Sequence, residues 1–243
     1  MTNSSYPGLI PSYEHQRLAA LEPYQVLGTP GQGLFNDFVS VVAKLFEVPI
    51  ALISLVREDD VVFVGNEGLP EAPTANREDS MCSVAILNDG LTVFEDLTTQ
   101  PCHLVNPFAA QQLRLGFYAG QSLRTSIGMP LGSLCVIDRR PRQLAPLEGE
   151  LLTQLALVAQ DLLEVQAADA TNGRLGSALR PRLDAVLQPS LTRLNTLAEL
   201  RKLDPDADAA DLARYTDSRL DEARYLAQAL HRELQAVLNS PGR

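Results

Sequence analysis

The residues of this chain best equipped for chemistry are its three cysteines, Cys82, Cys102 and Cys135. A thiolate can act as a nucleophile, a metal ligand or half of a redox pair. None of the three stands in a C-x-x-C spacing, so a closed zinc site has no support. An odd number in a chain this long makes no disulfide framework either. Cys82 lies in Ser80 to Leu87, which could be a short helix, and Cys135 in the apolar run Leu131 to Asp138. A small thiol in such surroundings behaves as a hydrophobe. Cys102 sits in a polar loop and is expected to be the exposed thiol. Reversible thiol chemistry essential to function is not expected of the three.

Two carboxylates, Asp96 and Asp138, each follow a strand-like run. There they could reach a ligand or cap a turn, and capping is the commoner use. Phe117 and Tyr118 are neighbours on another strand-like segment, where alternation sends one to the core and the other toward any cavity. Cys82, Asp96, Phe117, Tyr118 and Asp138 are the residues read as ligand-pocket candidates. Arg139-Arg140-Pro141-Arg142 makes a basic loop. His15 and His231 flank helical stripes and are expected in solvent. No catalytic residue and no metal ligand is assigned, and no cofactor is named.

These residues need elements to hold them. Residues 13–27 read as a short amphipathic helix disturbed by Pro23 and ended by Gly28-Thr29-Pro30-Gly31. Leu34, Phe35, Phe38, Val41, Val42 and Leu45 mark a second helix. Ile50 to Val56 is a continuous apolar run of strand length, and Val61 to Val64 is its hairpin partner across the charged turn Arg57-Glu58-Asp59-Asp60. Leu91 to Phe94, Gly116 to Ala119 and Leu131 to Asp138 supply three more strands, with a loop holding a turn or two of helix over 98–112. Leu151 to Gln166 is a strongly apolar helix. This order predicts an α+β fold, an antiparallel sheet flanked by helices. Beyond Asn172 strand signals vanish. Leucines from Leu175 to Leu197 recur at three- and four-residue steps. After Asp204-Pro205-Asp206 a second stripe runs from Leu212 to Val237, with Asp208 as its cap. Two such helices make an αα-hairpin, which buries its stripes poorly alone, so a four-helix bundle in a homodimer is expected.

The 243 residues are 45% hydrophobic and 21% charged, a globular composition rather than a disordered one. Net charge is −11 over residues 1–171 (9 Lys/Arg, 20 Asp/Glu) and +1 over 172–243 (11 and 10), a shift that supports a boundary near 172. An overall −10 argues against nucleic-acid binding. No run approaches the ~18 apolar residues of a membrane span. Met1 to Gly8 lacks the basic and apolar regions of a signal peptide. A cytoplasmic chain without membrane contact is expected. The boundaries read as a tail over 1–12, a first domain over 13–166, a linker over 167–173, a helical hairpin over 174–238 and a tail over 239–243.

A series of segments, in order, resembles the GAF family. They are Arg17-Leu18-Ala19-Ala20-Leu21 with Leu27-Gly28-Thr29-Pro30, Pro49 to Val56, and Ser80-Met81-Cys82-Ser83-Val84-Ala85-Ile86. Leu91 to Asp96, Asn106-Pro107, Phe117-Tyr118-Ala119-Gly120 and Leu131 to Asp138 complete it. The resemblance implies a small-molecule sensor, or else a plain dimerisation module. The Asn-Lys … Phe … Asp-Glu signature of cyclic-nucleotide-binding relatives is not found. Cys102-His103 matches the dipeptide of bilin-binding relatives but stands upstream of their position, near Leu113 to Tyr118. Methionine sulfoxide reductases on this fold use several closely placed cysteines, which this chain lacks.

Ser177 to Leu187 is similar to the phosphoacceptor helix of sensor histidine kinases, through Leu179, Arg180, Leu183 and Leu187. Ser177 stands in the place of the histidine, Ala178 replaces the acidic neighbour, and Pro181 comes one place early. A serine needs an adjacent base to become a nucleophile, and none is near. The resemblance implies a degenerate phosphoacceptor position at Ser177 and a partner-docking residue at Arg180; no kinase catalytic domain is expected in this chain. The expected function is therefore a non-enzymatic signalling sensor or adaptor: a homodimer contacting a kinase or response regulator, with a small-molecule ligand in the first domain. A ligand-free scaffold is the alternative, and a reductase-like redox enzyme is the third class.

Overall fold

The computed structural model describes residues 6–27, 33–69, 73–172, 176–203 and 207–239. Regular helix α1, Glu14–Leu21, stops two residues before Pro23, and the chain continues as a 3-10 turn over Glu22–Leu27. Helix α2, Gly33–Phe46, buries the expected stripe of Leu34, Phe35, Phe38, Val41, Val42 and Leu45. The breaks at Gly28 to Gly31 and at Asp204-Pro205-Asp206 lie outside the described residues.

Strands β1 (Ile50–Val56) and β2 (Asp60–Glu67) form the anticipated hairpin. A third strand, β3 (Thr74–Asn76), carries no apolar run in the sequence, since Thr74 and Asn76 are exposed and only Ala75 turns inward. Then come α3 (Cys82–Ala85), β4 (Leu91–Phe94), α4 (Pro107–Gln112), β5 (Phe117–Arg124) and β6 (Pro130–Asp138). The six strands pair in the order β3-β2-β1-β6-β5-β4, every pair antiparallel. At the centre β1 lies against β6 so closely that a Cβ on Gly132 would sit 1.8 Å from the Ser54 carbonyl oxygen. The fold class is α+β, as expected.

The sheet has two covered faces. On one, Ala51, Ile53, Leu55, Phe117, Ala119, Leu134 and Val136 join a core shared with the long helices. On the other, Ile50, Leu52, Val61, Phe63, Tyr118, Cys135 and Ile137 pack with α3 and its flanking loops. Strand alternation creates this division.

Three long helices complete the first face: α5 (Pro146–Asn172), α6 (Gly176–Leu203) and α7 (Ala209–Leu238). The helix expected to end at Gln166 runs to Asn172, through most of the anticipated linker. Its buried residues Leu151, Leu152, Leu155, Ala156, Val158, Ala159, Leu162, Leu163 and Val165 face nearly all directions, the mark of a helix covered on both sides. One side meets the sheet and the other meets α7. Leu179, Leu183, Leu187 and Leu194 of α6 and Leu220, Leu226, Leu230 and Leu234 of α7 are buried in the same core as α2 and α5. Most of the stripe residues that suggested a bundle between two chains are thus covered within one chain, although Leu212 stays exposed and Leu175 lies outside the described residues.

Polar ties fasten this layer. Arg180 bridges Asp37 of α2 and Asp184. Arg219, 5% exposed, pairs with Glu47 at 2.6 Å and approaches Glu148 at 3.6 Å. Tyr215 donates to the same Glu47 at 2.9 Å. His231 is exposed, as expected, and its ring also sits 2.6 Å from Asp161 of α5. Asp208 caps α7 as anticipated, accepting from the Asp211 amide at 2.9 Å. Among the described residues, no helix is long and apolar enough to cross a membrane.

Candidate functional site

Between the second sheet face and the α3–α4 region lies a cavity of about 70 Å³. Its walls are mostly apolar, with Leu52, Phe63, Val105, Leu113, Leu115 and Ile137. Polar groups enter from Asp79, Ser80, Cys82, Asn106 and Tyr118. Asn106 caps α4, its side-chain oxygen accepting from the Phe108 amide at 3.1 Å. The same side chain donates to Asp79 at 2.8 Å, and the Asn106 amide donates to the Glu78 carbonyl at 2.7 Å. One end of α4 is thereby fastened across the cavity, yet α4 has no buried residue of its own, and Phe108 on it is 66% exposed. Arg114, just beyond, has φ of +52°, a left-handed conformation uncommon for a side chain of this size. The covering element is therefore lightly packed.

Tyr118 forms part of the cavity floor. Its ring lies along β5 over Gly120, where a Cβ would fall 2.3 Å from the phenolic oxygen. Only glycine leaves room for the ring there. The buried hydroxyl sits near Cys82, Cys135 and Ser133 without a well-formed hydrogen bond to any of them. Burial, and then the adjacent thiols, push its pKa well above the ordinary phenol value. Beside it the Cys82 and Cys135 sulfurs are 3.8 Å apart. The hydrogen bond between the two thiols draws Cys82 below the ordinary thiol range against the opposing effect of burial, with help from the hydroxyls of Ser133, Ser54 and Ser80. The same contact, with burial, holds Cys135 well above that range. Ser54 and Ser133 bond each other across β1 and β6 at 3.1 Å.

Of the five pocket candidates, the structure brings Cys82 and Tyr118 together in the cavity wall. Phe117 points the other way, into the helical core, with the Arg142 guanidinium 5.3 Å from its ring centre. Asp96 lies at the surface and accepts from the amides of Thr98 and Thr99 at 2.9 and 3.2 Å, and those threonines hold its pKa below the usual carboxylate value. Asp138 accepts from the Arg140 amide at 3.1 Å. Both carboxylates act as turn caps and neither lines the cavity. Cys102, expected exposed, is buried at 6%, with His103 beside it exposed. The loop is polar in sequence, but Cys102 turns inward with Leu97 and Val105. Ser177 falls in the first turn of α6, and its side chain lies outside the described residues. Arg180 is ion-paired inside the chain rather than presented free.

Asp79, Asn106 and the Ser54–Ser133 pair were missed as site residues. Asn106 stands in the Asn106-Pro107 segment of the GAF resemblance, and Ser133 shares its strand face with Cys135 by alternation. Nothing local announced Asp79.

No family model matches the chain. Over 132 residues it is 38% identical to a cyclic di-GMP phosphodiesterase of Pseudomonas aeruginosa, a match covering 54% of this chain and 22% of that protein. The chain thus spans about a fifth of the curated relative it matches. Similar solved structures include the GAF domain of an Acinetobacter phosphoenolpyruvate-protein phosphotransferase, at 15% identity and TM-score 0.47 over 65% of this chain and 97% of that one. Another is the second GAF domain of DevS from Mycobacterium smegmatis, at 14% identity and TM-score 0.43 over 57% and 96%. The expectation of a non-enzymatic protein is corrected here, because the curated relative is named as a phosphodiesterase.

Proposed function

We propose that this chain is a GAF-type sensing unit of a cyclic di-GMP signalling protein, taking a small molecule into the cavity over Tyr118 and Cys82. The observation that carries the reading is that cavity, mostly apolar with a few polar groups converging on its floor, the usual composition of a ligand site. At about 70 Å³ it is far below the ~300 Å³ of ordinary ligand pockets, so a ligand of metabolite size requires α4 to move. The light packing of α4 favours that element as the one that yields. The link to cyclic di-GMP rests on the phosphodiesterase relative.

Occupancy reaches the helical layer through neighbouring residues of β5. Tyr118 faces the cavity, and Phe117 beside it lies under Arg142, which donates to Glu148 of α5 at 2.7 and 2.8 Å. Glu148 in turn faces Arg219 of α7. A change at the floor can therefore alter how α7 sits, given a two-state element to amplify it.

The test has two arms. Native mass spectrometry of the freshly purified protein is expected to show a retained small molecule that Ala110→Trp, which fills the cavity, expels. In cells carrying a cyclic di-GMP reporter, wild type and Ala110→Trp are expected to give different levels. An empty protein together with identical reporter levels would sink the reading.

A further inference from the structure

The sulfurs of Cys82 on α3 and Cys135 on β6 stand 3.8 Å apart although 53 residues separate them in sequence. That is van der Waals contact, and closing it to a bond of about 2.05 Å needs under 2 Å of movement. Most buried thiols are inert because nothing reaches them. Cys82 is different, since it lines the cavity. Space for one water takes about 10–15 Å³, so a cavity of about 70 Å³ admits a molecule the size of hydrogen peroxide. Cys102 belongs to the same apolar cluster but does not line the cavity.

We infer that Cys82 and Cys135 form a peroxide-sensitive dithiol, in which a small hydroperoxide entering the cavity is reduced and the pair closes to a disulfide. Cys82 attacks one peroxide oxygen as thiolate. The O–O bond breaks with its electron pair on the departing oxygen, which leaves as an alcohol, or as water from hydrogen peroxide, after taking up a proton. Cys82 is then a sulfenic acid. The Cys135 sulfur attacks the Cys82 sulfur, the S–O bond breaks, and the hydroxide leaves with the Cys135 proton as water. Two thiols and one hydroperoxide become one disulfide, one alcohol and one water. The peroxide is reduced and the two sulfurs are oxidised.

The surroundings suit each step. Hydroxyls of Ser54, Ser80 and Ser133 near Cys82 favour its thiolate, and Cys135 stays protonated until it attacks. The disulfide would staple α3 to the centre of the sheet, beside the Tyr118 hydroxyl. The cavity is the one proposed to take a small molecule, but the dithiol chemistry requires no ligand, and its thiol count is read separately from ligand retention and reporter level.

The experiment treats the full chain with a small excess of hydrogen peroxide, unfolds it, and alkylates the remaining thiols. Alkylatable thiols are expected to fall from three to one, with a mass lighter by two hydrogens and a Cys82–Cys135 link in the peptide map. Dithiothreitol is expected to restore all three. Cys102→Ala is expected to lose both its thiols. In Cys135→Ala the sulfenic acid at Cys82 is expected to persist and be trapped by dimedone. If wild type and Cys102→Ala keep every thiol, if oxidation falls on Cys102 first, or if the link joins two chains, the inference is overturned. Wild type and Cys102→Ala decide this even if Cys135→Ala does not fold.

Discussion

Two buried arginines share one carboxylate near the start of the chain. Arg17, fully buried, donates to both oxygens of Glu14 at 2.8 Å and to the Val56 carbonyl at 2.8 Å. Arg77, 4% exposed, donates to Glu14 at 2.5 Å and to the Leu9 carbonyl at 3.0 Å. Burial raises the Glu14 pKa, but the hydrogen bonds and charges of Arg17 and Arg77 outweigh it, so the net shift is downward. A depressed carboxylate contributes stability that is present above the unfolded pKa, about 4.3, and is lost as pH falls through the lower folded value. Urea unfolding at pH 7 and in the acid range should show this loss in wild type. Glu14→Gln should cost on the order of 3–5 kcal/mol at pH 7, because two guanidiniums stay buried without their counter-charge, and its acid dependence should be shallower. An unchanged acid limb in Glu14→Gln would contradict that assignment. Gly120 gives a second residue-scale prediction. Gly120→Ala should destabilise by a few kcal/mol through the clash with the Tyr118 ring, about the overpacking range. Tyr118→Ala in the same chain should recover part of that loss, which a double-mutant cycle in thermal unfolding would register.

At the scale of elements, the contact between α7 and the rest turns on Arg219. It sits against Glu47, which ends α2 with φ of +52°, and against Glu148 at the start of α5. One guanidinium therefore meets the termini of two helices, and the Tyr215 hydroxyl holds Glu47 as well. Arg219→Ala should cost about 1–3 kcal/mol, chiefly through lost packing of the buried side chain, because Glu47 stays open to solvent and Glu148 keeps Arg142. Arg214→Ala, whose partner Asp211 is on the same exposed helix face, should cost under about 1 kcal/mol. Equal effects for the two in chemical denaturation would remove the special place given to Arg219. The cap is a smaller matter: Asp208→Ala should cost about 1 kcal/mol through the lost bond to the Asp211 amide.

For the whole molecule, the hairpin is part of the core. Each buried leucine on α6 and α7 contributes about 1.5–3 kcal/mol relative to exposure, and those leucines share their cluster with α2, α5 and the sheet. Ending the chain after Asn172 should therefore expose the outer side of α5. The truncated protein should melt at a lower temperature than the full chain and bind a hydrophobic dye. A truncated chain with unchanged melting and no dye binding would mean that the hairpin is an appendage. The packing argument for a dimer loses its basis, since the period of the stripes is already used inside the chain. Light scattering on the full chain measures that directly.

The sequence by itself determined what depends on near neighbours. Apolar runs of strand length became β1, β2, β4, β5 and β6, the stripe from Leu34 to Leu45 became α2, the helix disturbed by Pro23 turned 3-10 from Glu22, and Asp208 capped α7. Alternation alone placed Phe117 and Tyr118 on opposite faces. Tertiary structure decided what depends on residues far apart in the chain. A leucine period reports that a face is buried and not what buries it, so the covering of α6 by α2 and α7 could not be read from Leu179 to Leu194. A polar loop can still turn one side chain inward, as Cys102 does. The 3.8 Å contact of Cys82 with Cys135 exists because β6 pairs with β1 and β5 at the centre of the sheet, and α3 returns across that face. Strand order is set by which faces bury most area together, a property of the assembled layers that no local pattern contains.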